Sequence, residues 1–135
     1  MFGEAEKVTK PSVSVYENKT EKEVIPVEIV EYNDMGLATV KKSGYENNYR
    51  VEETVYDSMG RAEAVKKYAV LNETPSSEVR TVSYTYDANG NIFTQTDEEG
   101  NVKTYTYTPR NQKETETDPM SSLITYVYDR NDKVI

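Results

Sequence analysis

One spacing constrains this chain more than any other. A Tyr-x-Tyr couplet falls at Tyr84/Tyr86, Tyr105/Tyr107 and Tyr126/Tyr128, a strict period of 21 residues. Self-similarity at a fixed period of that size marks a repeat architecture. Each unit also splits in two, with a second half starting at Thr96-Asp97 and again at Thr117-Asp118. A chain-reversal signal therefore arrives every 10 or 11 residues. The five four-residue signals start at Asp87, Asp97, Thr108, Asp118 and Asp129, and end at Gly90, Gly100, Asn111, Ser121 and Asp132. A type I turn favours Asp, Asn or Ser first, because a short side-chain oxygen caps the N–H groups ahead of it, and Pro second, where φ is preset. Pro109 and Pro119 hold that second place. The fourth residue is expected to be left-handed, forming a bulge that suits hairpin twist. Gly is best there, Asn and Asp are tolerated, and Ser121 is the poorest fit.

Between these turns lie segments of six or seven residues, 91–96, 101–107, 112–117 and 122–128. That is the usual length of a strand, and the side chains alternate as strands require. A strand, a turn and a returning strand in every unit predict an antiparallel meander. Equivalent tyrosines then recur on every second strand, roughly 9–10 Å apart, as a ladder on one face. The N-terminal half is a looser version: Tyr32 to Gly36, and Tyr56-Asp57 to Gly60, superpose on Tyr86-Asp87 to Gly90. Strands are expected over 13–16, 24–32, 37–42, 49–56, 61–71 and 78–86, with polar connections at 43–48 and 72–77. The alanines and charges of 61–71 would also suit a helix, but hairpin context favours a strand. Residues 1–11 read as a frayed tail. The organisation is thus a tail and first strand over 1–23, irregular hairpins over 24–83, and regular repeats over 84–135, the last one incomplete.

Composition agrees. The sequence holds 16 Val, 12 Tyr and 15 Thr but only 3 Leu, so β-preferring residues replace the usual residue of helical cores. The expected fold is all-β: an antiparallel meander of about ten strands in one curved or twisted sheet. A net charge of −8 argues against nucleic acid as a partner. No apolar run reaches the roughly 18 residues of a membrane span, so membrane insertion is not expected. Cysteine, histidine and tryptophan are all missing, which removes disulfides, thiol nucleophiles, imidazole bases and Cys/His zinc sites.

Taken together, the string Y-x-Y-D-x-x-G-N…T-D-x-x-G-N-x-x-x-Y-x-Y resembles the Rhs, or YD-repeat, family. That family includes bacterial Rhs and wall-associated polymorphic toxins, shell subunits of insecticidal toxin complexes, and teneurins. The resemblance runs from about Val24 to Ile135 and is close from Tyr84 onward. Its motif falls here on Tyr32, Gly36, Tyr56, Asp57, Gly60, Tyr84, Tyr86, Asp87, Gly90, Asp97, Gly100, Tyr105, Tyr107, Asp118, Tyr126, Tyr128 and Asp129. Departures are Thr108 in place of Asp, and Asn111, Ser121 and Asp132 in place of Gly. The resemblance implies a segment of a β-shell that encloses or presents a toxin or effector domain in a secreted, cell-surface or cell-wall protein. The partners it implies are neighbouring repeats and the enclosed domain, with no cofactor, metal or catalytic residue.

The carboxylates cluster in turns or on exposed strand positions, where capping and solvation explain them better than catalysis does. The acidic turn at Asp87 lacks the distal ligands of a calcium loop. Glycosylation sequons at Asn18 and Asn72 are as many as chance supplies. The tyrosines remain. Tyr84, Tyr105 and Tyr126 offer rings that could stack on a carbohydrate, or that hold the sheet together by packing on their neighbours. Recurrence in every unit favours packing, since a structural job needs a residue in each repeat. Terminal strands are open edges, and edge-to-edge self-association is the expected hazard.

Overall fold

The computed structural model describes residues 5–17 and 20–135. The described residues form thirteen strands and no helix, in two compact units, Met1–Thr81 and Val82–Ile135. All strand pairs in each unit are antiparallel, so the expected all-β meander is the fold.

In the first unit, β1 (Glu6–Thr9) pairs with β4 (Pro26–Tyr32), which continues in order through β5 (Ala38–Tyr45), β6 (Asn48–Tyr56), β7 (Ala62–Leu71) and the short β8 (Thr74–Pro75). A separate hairpin, β2 (Val13–Glu17) with β3 (Thr20–Val24), is inserted between β1 and β4. Three expectations change here. The stretch expected to fray contains β1, whose backbone joins β4 in a four-residue ladder; residues 1–4 of that stretch lie outside the described residues. The single strand expected over 24–32 is divided: Val24 closes β3 opposite Val13, and β4 starts at Pro26. Proline has no ladder donor, so it is tolerated at a strand's first residue. The polar connection expected at 43–48 shrinks to Glu46-Asn47, because Ser43, Gly44 and Tyr45 pair with Arg50, Tyr49 and Asn48. Gly44 is required there: a Cβ would collide with the Asn48 carbonyl.

The segment over 61–71 is a strand, β7. It turns back through Asn72 and Glu73, at φ 49° and 68°. Two left-handed central residues are what a type I′ hairpin turn requires.

The second unit consists of β9 (Arg80–Tyr86, which begins two residues before the unit boundary), β10 (Ile92–Thr96), β11 (Val102–Tyr107), β12 (Lys113–Thr117) and β13 (Leu123–Thr125), paired in chain order. The last segment keeps its ladder only over β13, shorter than expected. The chain then holds on by single bonds: the Tyr126 N–H donates to Glu114 at 2.9 Å, Tyr128 bridges Val134, and the Ile135 N–H donates to Val127 at 2.8 Å.

The core is thin. Among the described residues the buried hydrophobic side chains are Val24, Val51 and Tyr105. With so little interior, lateral bonds between neighbouring strands carry much of the specificity of the fold.

Candidate functional site: the tyrosine ladder

All seven corners with the four-residue signal have the same bonding. At Asp87 the side-chain Oδ1 accepts the N–H of Asn89 and of Asn91, both at 2.9 Å. The backbone closes the corner from both sides, Gly90 N–H to the Asp87 carbonyl and Asp87 N–H to the Asn91 carbonyl. Asn33, Asp57, Asp97, Asp118 and Asp129 repeat the Oδ1 pair, and Thr108 repeats it with its hydroxyl at 3.3 Å. The fourth residues are left-handed throughout, from Gly36 at φ 75° to Asn111 at 61°, Ser121 at 66° and Asp132 at 60°. The N–H groups hold three of these carboxyls below the usual carboxylate range. For Asp57 the leading cause is the Arg61 N–H, for Asp87 the Asn91 N–H, and for Asp97 the Asn101 side-chain amide.

The corners preceded by tyrosine differ from the others. After the corners at Asn33, Asp57, Asp87 and Thr108, the strand register slips by one residue, at Thr39, Glu63, Phe93 and Glu114. The ladders after Asp97 and Asp118 show no slip. A bulge disrupts the ladder locally, and a backbone carbonyl that loses a ladder partner needs another donor. The second tyrosine of the following unit supplies it. Tyr56 donates its hydroxyl to the Ala38 carbonyl at 2.8 Å, Tyr107 to Ile92 at 2.8 Å, and Tyr128 to Lys113 at 2.6 Å. In each case the acceptor is the residue just before the bulge. Burial raises the Tyr107 hydroxyl above its ordinary pKa.

The first tyrosines of the couplets share one face. Tyr84 stands opposite Gln95, and Gln95 opposite Lys103, two residues before Tyr105. Tyr105 stands opposite Glu116, and Glu116 opposite Ile124, two residues before Tyr126. Their hydroxyls make long backward contacts, Tyr105 to Gln95 at 3.4 Å and Tyr126 to Glu116 at 3.5 Å. The Lys113 ammonium lies 4.6 Å from the centre of the Tyr105 ring and 5.9 Å from that of Tyr126, within the range of cation–π attraction. It also pairs with Glu116 at 3.3 Å, as does Lys103 at 3.4 Å. Burial is the largest influence on Lys113 and works against its charge, but the Glu116 hydrogen bond together with the charge attraction of Glu116, Tyr105 and Tyr126 leaves its pKa raised; Lys113 in turn lowers that of Glu116. Tyr105 is only 8% exposed. Of the three tyrosines singled out for ligand contact, Tyr105 thus has its ring under a lysine, while Tyr84 and Tyr126 are half-buried.

Three features escape a reading based on tyrosine and turns. The face opposite the ladder carries rows of hydroxyls, Thr85–Thr94–Thr104–Thr117 and Thr106–Thr115–Thr125. Two cross-strand pairs are hydrogen-bonded, Thr85 with Thr94 at 2.6 Å and Thr106 with Thr115 at 2.7 Å. The signal was present in the sequence, since Thr85/Thr106, Thr94/Thr115, Thr96/Thr117 and Thr104/Thr125 are all 21 apart. Second, corners on one edge are tied side to side: Asn91 donates to Asn111 at 2.9 Å and Gln112 to Asp132 at 2.9 Å. Asn111 and Asp132, which depart from glycine, thereby gain a bond that glycine cannot make. Third, Tyr68 on β7 donates to Glu53, which with burial pushes its hydroxyl pKa up to about 12.

The groups of acids, histidines and cysteines needed to hold a metal ion are not found among the described residues. The family model described as RHS Repeat matches residues 86–119, the stretch that contains the corners at Asp87, Asp97 and Thr108 and the start of the one at Asp118. No curated protein matches the chain.

Proposed function

We propose, for a chain whose residues 86–119 match the RHS Repeat family model, a non-catalytic structural role: a segment of a β-shell that encapsulates or presents a toxin or effector domain, in a secreted or cell-surface protein. The observation that carries this reading is the destination of the recurring groups. Tyr107 and Tyr128 spend their hydroxyls on carbonyls of the preceding unit, the corner carboxylates spend theirs on their own backbone, and the Tyr105 ring takes Lys113. A repeat whose marked residues bond to their own corner, to a facing strand or to the preceding repeat is built to extend a sheet. Neighbouring repeats of a longer shell and the enclosed domain are its partners in this reading.

The test is to isolate the polypeptide that carries this segment from its producing cells, and to determine its length by mass spectrometry and its architecture by electron microscopy. Further repeats closing around a protease-protected domain are expected. A polypeptide with no further repeats and no enclosed domain overturns the reading. Calorimetry against a glycan panel checks the competing one. Saturable binding lost on Tyr105→Ala and Tyr126→Ala would identify a carbohydrate-binding module instead.

A further inference from the structure

Apart from Met1, the chain has three methionines, and all three occupy the third position of a corner: Met35 after Asn33, Met59 after Asp57, and Met120 after Asp118. In each, the backbone is pinned and the side chain is not. The methionine N–H donates to the Oδ1 of the first corner residue, at 3.0 Å for Met35 and 2.9 Å for Met59 and Met120. Their exposures are 58%, 75% and 89%, high for a side chain that usually fills cores.

We propose that Met35, Met59 and Met120 form a set of reversible oxidation sites that take oxygen from a peroxide-class oxidant without loss of fold. The thioether lone pair attacks one oxygen of the peroxide. The S–O bond forms as the O–O bond breaks, and the departing hydroxide takes the proton from the transferred oxygen and leaves as water. Sulfur is oxidised by two electrons and the peroxide is reduced by two. With no cysteine or tryptophan in the sequence, these thioethers are the softest exposed targets. Oxidising a core methionine disrupts packing, but none of these three fills the interior. Their corners are held by bonds in which sulfur takes no part. Both sulfoxide epimers are open to the enzymes that reduce them, each of which accepts one epimer.

The experiment is limited treatment of the folded protein with hydrogen peroxide, followed by peptide mass spectrometry, with the urea-unfolded chain as reference. All three methionines are expected to gain one oxygen at rates within about fivefold of the unfolded chain. The strand circular dichroism should be unchanged, and the two stereospecific sulfoxide reductases together should restore the starting mass. A folded rate more than about fivefold slower at any of the three overturns the proposal, as does loss of the strand signal on oxidation or failure of the reductases. A variant with Met35→Leu, Met59→Leu and Met120→Leu should take up no oxygen beyond Met1 at the same dose. Undiminished uptake would place the chemistry on the tyrosines and sink the assignment.

Discussion

The Tyr107 hydroxyl donates to the Ile92 carbonyl at 2.8 Å, across a separation of 15 residues. The same bond recurs with the same separation between Tyr128 and Lys113. The second tyrosine of the couplet is therefore a donor to the unit before it, aimed at the point where that unit's ladder is interrupted by a bulge. Removing the hydroxyl while keeping the ring isolates this role. Tyr107→Phe should lower stability by about 1 kcal/mol, the usual net worth of such a bond, measured by urea unfolding. A change of zero would mean that water replaces the tyrosine at the carbonyl.

The fourth corner position sorts its occupants by what else they do. Ser121 holds φ at 66°, and among the described residues the only bond its corner makes through it is the backbone one to Asp118. Ser121→Gly should stabilise by about 0.5–1 kcal/mol, once the relief of left-handed strain is set against the greater freedom of glycine when unfolded. Asn111→Gly should gain less, because it also removes the bond from Asn91. Thermal unfolding of the two variants should give that order; the reverse order would refute the side-to-side tie.

The Lys113–Glu116 pair replaces Ile92 and Gln95 of the preceding unit, 21 residues earlier. A partly buried ion pair is often replaceable as a whole, yet costly to break in half. Lys113→Ile or Glu116→Gln alone should each destabilise by about 1 kcal/mol or more. The double variant, which restores the pattern of the preceding unit, should lie within about 0.5 kcal/mol of the parent. Additive losses in the double-mutant cycle would show that the two side chains act independently.

Acid and base should act on different parts of the molecule. Asp57, Asp87 and Asp97 have depressed folded pKa values. Their contribution is present above the ordinary aspartate range and is lost as the pH falls through the folded values, so the melting temperature should drop below about pH 4. Tyr68 has its pKa raised from 10.0 to about 12. Its contribution is complete below the ordinary tyrosine value and is lost as the pH rises toward about 12. Tyr68→Phe should flatten the alkaline limb of the melting curve and leave the acid limb alone.

Residues whose role is local were legible in the sequence. The Asp-first, left-handed-fourth corners follow from side-chain reach and backbone sterics, and the structure places even Ser121 in the left-handed region. The facing of Tyr84, Tyr105 and Tyr126 follows from strand alternation and the period. Roles that depend on a partner far along the chain were not. Nothing near Glu6–Thr9 announces that it pairs with Pro26–Tyr32, because the β2–β3 hairpin between them hides the adjacency. Asn111 and Asp132 looked like weak glycine substitutes because their compensating bonds come from residues 20 positions away. The bulges leave no compositional mark at Phe93 or Glu114, and without them the tyrosine hydroxyls had no assigned acceptor.

In the second unit, the hydroxyls of Tyr107 and Tyr128 reach back 15 residues and the ties Asn91–Asn111 and Gln112–Asp132 span 20, each less than one repeat. Length can therefore change there only in whole steps of 21 residues. An in-frame duplication of 84–104 would set the copied Tyr86 15 residues after the original Ile92, the same separation as Tyr107 from Ile92. Loss of a single residue inside a strand would turn all the rings after it to the hydroxyl side. Such an array grows by duplication and is damaged by slippage.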